Sequence, residues 1–261
     1  MQDRSLASYI AELVGTFFLV LIIGTVVALF VAPAGQTTFG SDFAVIGLVH
    51  ALGLFVLVAF LGGVSGGHFN PAVTVAATIL KKINPVDAVV YILAQLTGGL
   101  LGALTVKGLL KDEGALTNYG AVDVSDLLGT DFQGMIVEMI GTFLLVGVIV
   151  AVAMSIKGSN DYAPFAIGSA LGVLVMIFGP LTGGSFNPAR WFGPALIGEE
   201  WGGVWPYLVG PAAGAILAAL FFRFVIEAGP LDEPAEKLKP RAGGVTEIDL
   251  TESKRSKKPK D

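Results

Sequence analysis

The sequence predicts an all-α membrane protein: an inverted repeat of six transmembrane helices plus two short re-entrant half-helices. Three observations carry this. The 261-residue chain is 54% hydrophobic and only 14% charged, with a mean hydropathy of +0.76, which marks a polytopic membrane protein rather than a soluble domain. Six long apolar runs alternate with polar connections. The stretch Gly-Gly-X-Phe-Asn-Pro-Ala occurs twice, at residues 66–72 and 183–189.

The apolar runs lie at about 9–31, 42–62, 86–109, 133–154, 163–181 and 203–226. Each has roughly the 20 residues that cross a bilayer as a helix. The first lacks a small-x-small cleavage site followed by a soluble chain and is read as a retained spanning helix. Two shorter apolar pieces begin at the Asn-Pro-Ala triplets and run to Leu80 and Ile197, a length that suits re-entrant segments. The organisation expected is a cytoplasmic N-terminus at 1–8, a channel domain at 9–226 with repeats at about 9–109 and 133–226, and a charged, solvated cytoplasmic tail at 227–261. The 35 glycines suit close helix packing in lipid.

The two halves share more than the triplets. Residues 11–20, Ala-Glu-Leu-Val-Gly-Thr-Phe-Phe-Leu-Val, match 137–146, Val-Glu-Met-Ile-Gly-Thr-Phe-Leu-Leu-Val, and Tyr91 and Tyr207 recur early in the third and sixth runs. Each half holds three spans, an odd number, so the second half enters the membrane from the opposite face. This is the inverted repeat used by many transport proteins. Lys and Arg set the orientation. With both termini in the cytoplasm, Arg4, Lys81, Lys82, Lys157, Arg223 and the tail cations lie inside, and Lys107 and Lys111 lie outside. The connection from about 110 to 131, with Asp112, Glu113, Asp123, Asp126 and Asp131, is then external and acidic.

Non-helical backbone at membrane depth must be buried in protein or line a water-filled cavity. In each loop Gly-Gly permits an unusual path, Asn caps a helix, and Pro fits its first turn. Each triplet therefore starts a short helix with its positive dipole end at the Asn. Inversion brings the two N-termini together near the midplane. Asn70-Pro71-Ala72 and Asn187-Pro188-Ala189 then face each other across a pore, with both Asn side chains donating to what passes. Carbonyls of Gly66, Gly67 and His68, and of Gly183, Gly184 and Ser185, are expected to line the approaches. Such a path is selective through its width, its donors and its electrostatic barriers.

The two loops, the repeated Glu-x-x-Gly-Thr-Phe and the pattern of six spans with two half-spans resemble the aquaporin (major intrinsic protein) family over about residues 6–226. The resemblance implies a passive channel, a homotetramer with one pore per subunit, and a filter on the outer side at His50, Val175, Gly184 and Arg190. In those positions the set is similar to plant vacuolar (tonoplast) aquaporins, which pair His with an aliphatic residue, a small residue and Arg and pass water and often ammonia. Glycerol facilitators of the family carry Asp where Trp191 stands here, and water channels carry a small residue there. Tyr207 matches the water channels, and Leu208 replaces their usual Trp. The function expected is passage of water, with ammonia or other small neutral solutes, and exclusion of protons and ions. A glycerol or urea facilitator is the alternative.

The remaining polar residues take supporting roles. Glu12 and Glu138 are expected to accept backbone N–H groups of their loops and hold their shape, and Leu19, Val73, Leu145, Phe69 and Phe186 to form apolar walls. His68 is expected to be structural. With no cysteine and only His50 and His68, an intramembrane enzyme has little to work with. No cofactor, no metal and no nucleic acid are expected. The partners expected are water, small neutral solutes and the bilayer, in a plasma or inner membrane.

Overall fold

A computed structural model describes residues 5–31, 41–155 and 161–227 of the chain. Helices joined by short non-helical connections make up these segments, with no strand among the described residues. Among the described residues six helices are long and apolar enough to cross a membrane. They are α1 (Leu6–Phe30), α2 (Ser41–Ser65), α4 (Pro85–Leu109), α6 (Asp131–Ile149), α7 (Ala163–Thr182) and α9 (Val204–Phe221). Helix α6 continues as a π-helical turn over Val150–Met154, and α9 over Phe222–Ile226. The two half-helices, α3 (Pro71–Ile79) and α8 (Pro188–Gly198), start at the prolines of the triplets. Most of the expected tail, 228–261, lies outside the described residues, as do 1–4 and Lys157.

Within each half the first and third spans pair, α1 with α4 and α6 with α9, while α2 pairs with α7 across the halves. The short helices are exchanged: α8 packs on α4 of the first half and α3 on α9 of the second. Missing side chains make these contacts possible. A Cβ on Gly98 would lie 2.3 Å from the Leu13 carbonyl of α1, and one on Gly214 would lie 2.4 Å from the Met139 carbonyl of α6. One on Gly193 would lie 2.3 Å from the Gly99 carbonyl, so α8 rests on α4 backbone to backbone. Without a hydrophobic drive between helices in lipid, such close approach supplies the packing energy.

The connection between α4 and α6 differs from a simple acidic loop. A short helix, α5 (Lys111–Ala115), is followed by a tight turn at Asn118–Gly120 that folds inward. Tyr119 and Val122 are buried, while Asp112, Glu113, Asp126 and Asp131 remain exposed. Gly120 makes the inward fold possible, because a Cβ there would lie 2.9 Å from the Cα of Gly24 in α1.

The repeated Glu-x-x-Gly-Thr-Phe has a packing reason as well. Gly15 and Gly141 each leave a slot for a loop phenylalanine: an added Cβ would lie 2.1 Å from Cε1 of Phe69 and of Phe186 respectively. Both rings are fully buried. Overpacking of this kind costs about 1–3 kcal/mol, more than the roughly 1 kcal/mol of helix propensity that Gly→Ala gains. Gly15→Val and Gly141→Val are therefore expected to lower the melting temperature and folded yield in detergent. Gly147→Ala, whose added Cβ meets nothing within 4 Å, is expected to match or exceed the parent. Equal stability of all three would refute the slot.

Candidate functional site

The two loops follow one backbone path. Gly66, Gly67 and Phe69 have φ of 96°, 64° and 47°, and Gly183, Gly184 and Phe186 have φ of 71°, 61° and 52°. Left-handed conformation is easy for glycine, but for phenylalanine it stores about 1–3 kcal/mol and persists only where the surroundings over-determine it. Here the ring is fixed in its glycine slot and the backbone is fixed by a buried carboxylate. Glu12 accepts from the N–H of His68 at 3.0 Å and of Phe69 at 2.7 Å. Glu138 accepts from the N–H of Ser185 at 3.0 Å and of Phe186 at 2.6 Å. Both carboxylates are completely buried.

A second tier repeats just as closely. Ser65 Oγ donates to Glu12 at 2.6 Å and accepts from Gly67 N–H at 3.0 Å. Thr182 Oγ1 donates to Glu138 at 2.7 Å and accepts from Gly184 N–H at 3.3 Å. The hydroxyls of Tyr91 and Tyr207 donate to the carbonyls of Ser65 and Thr182, each at 2.8 Å. The halves part at Gln95, which donates to Glu12 at 2.8 Å and to Thr74 at 3.0 Å. The residue 116 positions on is Pro211, which has no side-chain donor. Sequence reading missed Ser65, Thr182 and Gln95. The first two keep the repeat spacing and could have been found by it; Gln95 breaks the repeat and could not.

Asn70 and Asn187 each do two things. As helix caps, Asn70 Oδ1 accepts from Ala72 N–H at 2.8 Å, and Asn187 Oδ1 accepts from Ala189 N–H at 3.0 Å and Arg190 N–H at 3.3 Å. Across the seam, Asn70 Nδ2 donates to the Phe186 carbonyl and Asn187 Nδ2 to the Phe69 carbonyl, both at 2.9 Å. The α3 and α8 N-termini thus meet. An amide nitrogen has two hydrogens, so each side chain keeps one after the crossing bond.

A narrow cavity, with a water-accessible volume of about 20 Å³, runs along this seam. Asn70, Asn187, His50 and Arg190 border it, as do Gly67, His68 and Ser185 of the loops. Its other walls are apolar, including the expected Leu19, Val73, Leu145 and Phe69. His50 Nδ1 lies 2.8 Å from the Ile46 carbonyl and must carry its proton to bond there, which leaves Nε2 buried without a protein partner. Arg190 Nη1 donates to the Gly120 carbonyl at 2.7 Å, and its Nε has no protein partner. A buried polar atom in this state needs a partner such as water.

Several expected residues stand back from the cavity. Val175 is fully buried and backs Gly184, whose added Cβ would lie 3.3 Å from Val175 Cγ2. Gly66 opens on clefts toward the face that carries Leu6 and Ile226, bordered by Ala153. Gly183 packs on Val122, 2.4 Å from an added Cβ, and Phe186 fills its slot. The His68 ring, 3.1 Å from Thr74 Oγ1 and edge-on to Tyr91, is tied into the packing. Trp191 stacks on Tyr207 at 6.2 Å between ring centroids and does not border the cavity; Leu208 is exposed on the outside of α9. Their departures from the family pattern therefore lie outside the cavity wall.

With this geometry in view, the likenesses are informative. The family description "Major intrinsic protein" matches residues 2–222. A probable aquaporin TIP2-2 of Oryza sativa subsp. japonica is 36% identical over 231 residues, 86% of this chain and 89% of that one. A glycerol uptake facilitator protein-like 6 of Lactiplantibacillus plantarum is 38% identical over 218 residues, 82% of this chain and 96% of that one. The aquaglyceroporin structure from Plasmodium falciparum superposes with a TM-score of 0.70, covering 85% of this chain and 96% of that one at 24% identity, a likeness of fold. The chain belongs to the major intrinsic protein family, a class of membrane channels and not of enzymes.

Proposed function

We propose that the chain is a passive pore for water, and for ammonia and other small neutral solutes, that excludes protons and ions. The carrying observation is the narrow seam cavity, apolar except for a few polar groups: the remaining amide hydrogens of Asn70 and Asn187, the His50 Nε2 acceptor, the Arg190 guanidinium and the loop residues Gly67, His68 and Ser185. Its volume of about 20 Å³ suits one water at a time, since one needs roughly 10–15 Å³ on this measure. A polyol stripped of water would find too few partners for its hydroxyls along such a wall, and each unmet group is costly. A cation meets the positive ends of two opposed helices and a guanidinium.

In this reading His50 and Arg190 form the filter at the outer end, with Val175 and Gly184 setting its width from behind. Gly184 and Val175 leave it slightly wider than a strict water filter, which admits ammonia. Both termini lie in the cytoplasm, supported by the Lys and Arg bias. The channel works as a homotetramer in the plasma or inner membrane, each subunit with its own pore.

Stopped-flow light scattering of proteoliposomes under sucrose, glycerol and ammonium gradients separates this reading from a glycerol or urea facilitator. Fast water and ammonia equilibration with slow glycerol entry is expected. Glycerol flux equal to water flux would overturn the ranking. In the same vesicles Arg190→Val is expected to raise cation leak above the parent, and an unchanged leak would remove Arg190 from the filter.

A further inference from the structure

Three successive residues beside the pore are left-handed: Asn118, Tyr119 and Gly120, with φ of 47°, 56° and 86°. Asn and Gly tolerate this conformation, whereas tyrosine seldom adopts it. Backbone held in such a state is found where the surroundings over-determine it, often at a functional site. The surroundings here are specific. The Tyr119 ring lies on Gly114, where an added Cβ would be 2.7 Å from Cδ1, and Lys107 Nζ sits 5.1 Å from the ring centroid. Asn118 Nδ2 donates to Glu200 Oε2 at 3.2 Å, just past the end of α8. The Asn118 carbonyl presses on Gly198, 2.5 Å from an added Cβ, and Gly120 presses on Gly24. The turn is thus wedged between α1 and the ends of α4 and α8.

What the wedge delivers is one atom. The Gly120 carbonyl accepts from Arg190 Nη1 at 2.7 Å, the one protein hydrogen bond of this guanidinium among the described residues. Arg190 borders the cavity, with Nε unpartnered and the residue 2% exposed. The guanidinium's position therefore depends on a carbonyl whose own position is set by a strained turn. That turn is pinned to the outer surface by Asn118 and Glu200, neither of which borders the cavity.

We propose that Asn118, Tyr119 and Glu200 form a positioning clamp for Arg190 that sets the pore's selectivity without touching the permeant. The clamp rests on the reading of Arg190 as a filter residue. It acts on the ratio of solute to water flux, because a guanidinium released from Gly120 leaves the filter less narrow and less uniformly charged. A defect of folding alone lowers all fluxes together and leaves the ratio in place.

The test uses the full chain in proteoliposomes, with urea and water permeabilities measured on the same preparation. Asn118→Ala and Glu200→Ala are each expected to raise the urea-to-water ratio about fivefold, the population change that loss of one hydrogen bond produces. The double variant should exceed neither single variant, as for two members of one linkage. Tyr119→Phe, which keeps the ring against Gly114 and Lys107, should keep the parental ratio. Glu113→Ala, the same charge change on the exposed α5, should keep it too. Glu200→Ala alters a surface side chain and decides the matter even where Asn118→Ala does not fold. If Arg190→Val raises the ratio while Asn118→Ala and Glu200→Ala leave it at the parental value, the clamp is wrong and the filter stands. If Arg190→Val changes neither the ratio nor the cation leak, the filter reading fails and the clamp with it.

Discussion

Two carboxylates inside an apolar helix bundle, Glu12 and Glu138, hold the geometry on which the pore depends. Each takes two consecutive backbone N–H groups of a loop and a side-chain hydroxyl, from Ser65 or Thr182. In lipid an unmet N–H or a bare carboxylate costs several kcal/mol, so loop and glutamate each make the other tolerable. The loop bonds are charge-assisted and short, and they fix a backbone path that a phenylalanine would not choose. Once that path is fixed, the half-helix after it points away from the midplane. Its N-terminus and its Asn cap are left at the centre.

The head-on meeting then closes through the asparagines. Each caps its own helix and donates to the carbonyl of the opposite loop, so the caps and the crossing are one linked unit. Helix capping and pore lining are commonly set against each other as readings of such a residue. One amide has atoms enough for both, because capping occupies the oxygen, the crossing takes one hydrogen, and one hydrogen remains beside the cavity. The exchange of half-helices, α8 onto α4 and α3 onto α9, stops either half from forming this centre alone. The asymmetry that follows is chemical. Val73 stands where Arg190 does, so the second half alone brings a guanidinium to the seam.

Most of this architecture was legible in the sequence, for definite reasons. Six runs of spanning length and two prolines after asparagine marked the six spanning helices and the two half-helices, and the starts of α3 and α8 fall at those prolines because proline costs nothing in a first turn. The matched Glu-x-x-Gly-Thr-Phe identified the buried carboxylates, since an acid at membrane depth must serve something. Hidden features depended on contacts between residues far apart in sequence. The grip of Gly120 on Arg190 links positions 70 apart and sits in a connection whose acidic residues suggested a solvated loop. Gln95 lacks a counterpart in the second half. Val175 and Gly184 were placed by the resemblance to the family, which matches positions along the chain but does not say whether a side chain reaches the cavity or packs behind it.

The central claim is that this seam passes neutral molecules in file while its opposed helix ends and guanidinium repel protons and other cations. It is tested most directly by following two signals in the same proteoliposomes: osmotic shrinkage, and the decay of an imposed pH gradient reported by an enclosed dye in the absence of ammonia. The account predicts shrinkage far faster than in empty vesicles, with the pH gradient decaying at the rate of the lipid alone. A gradient that collapses as fast as the vesicles shrink would contradict it.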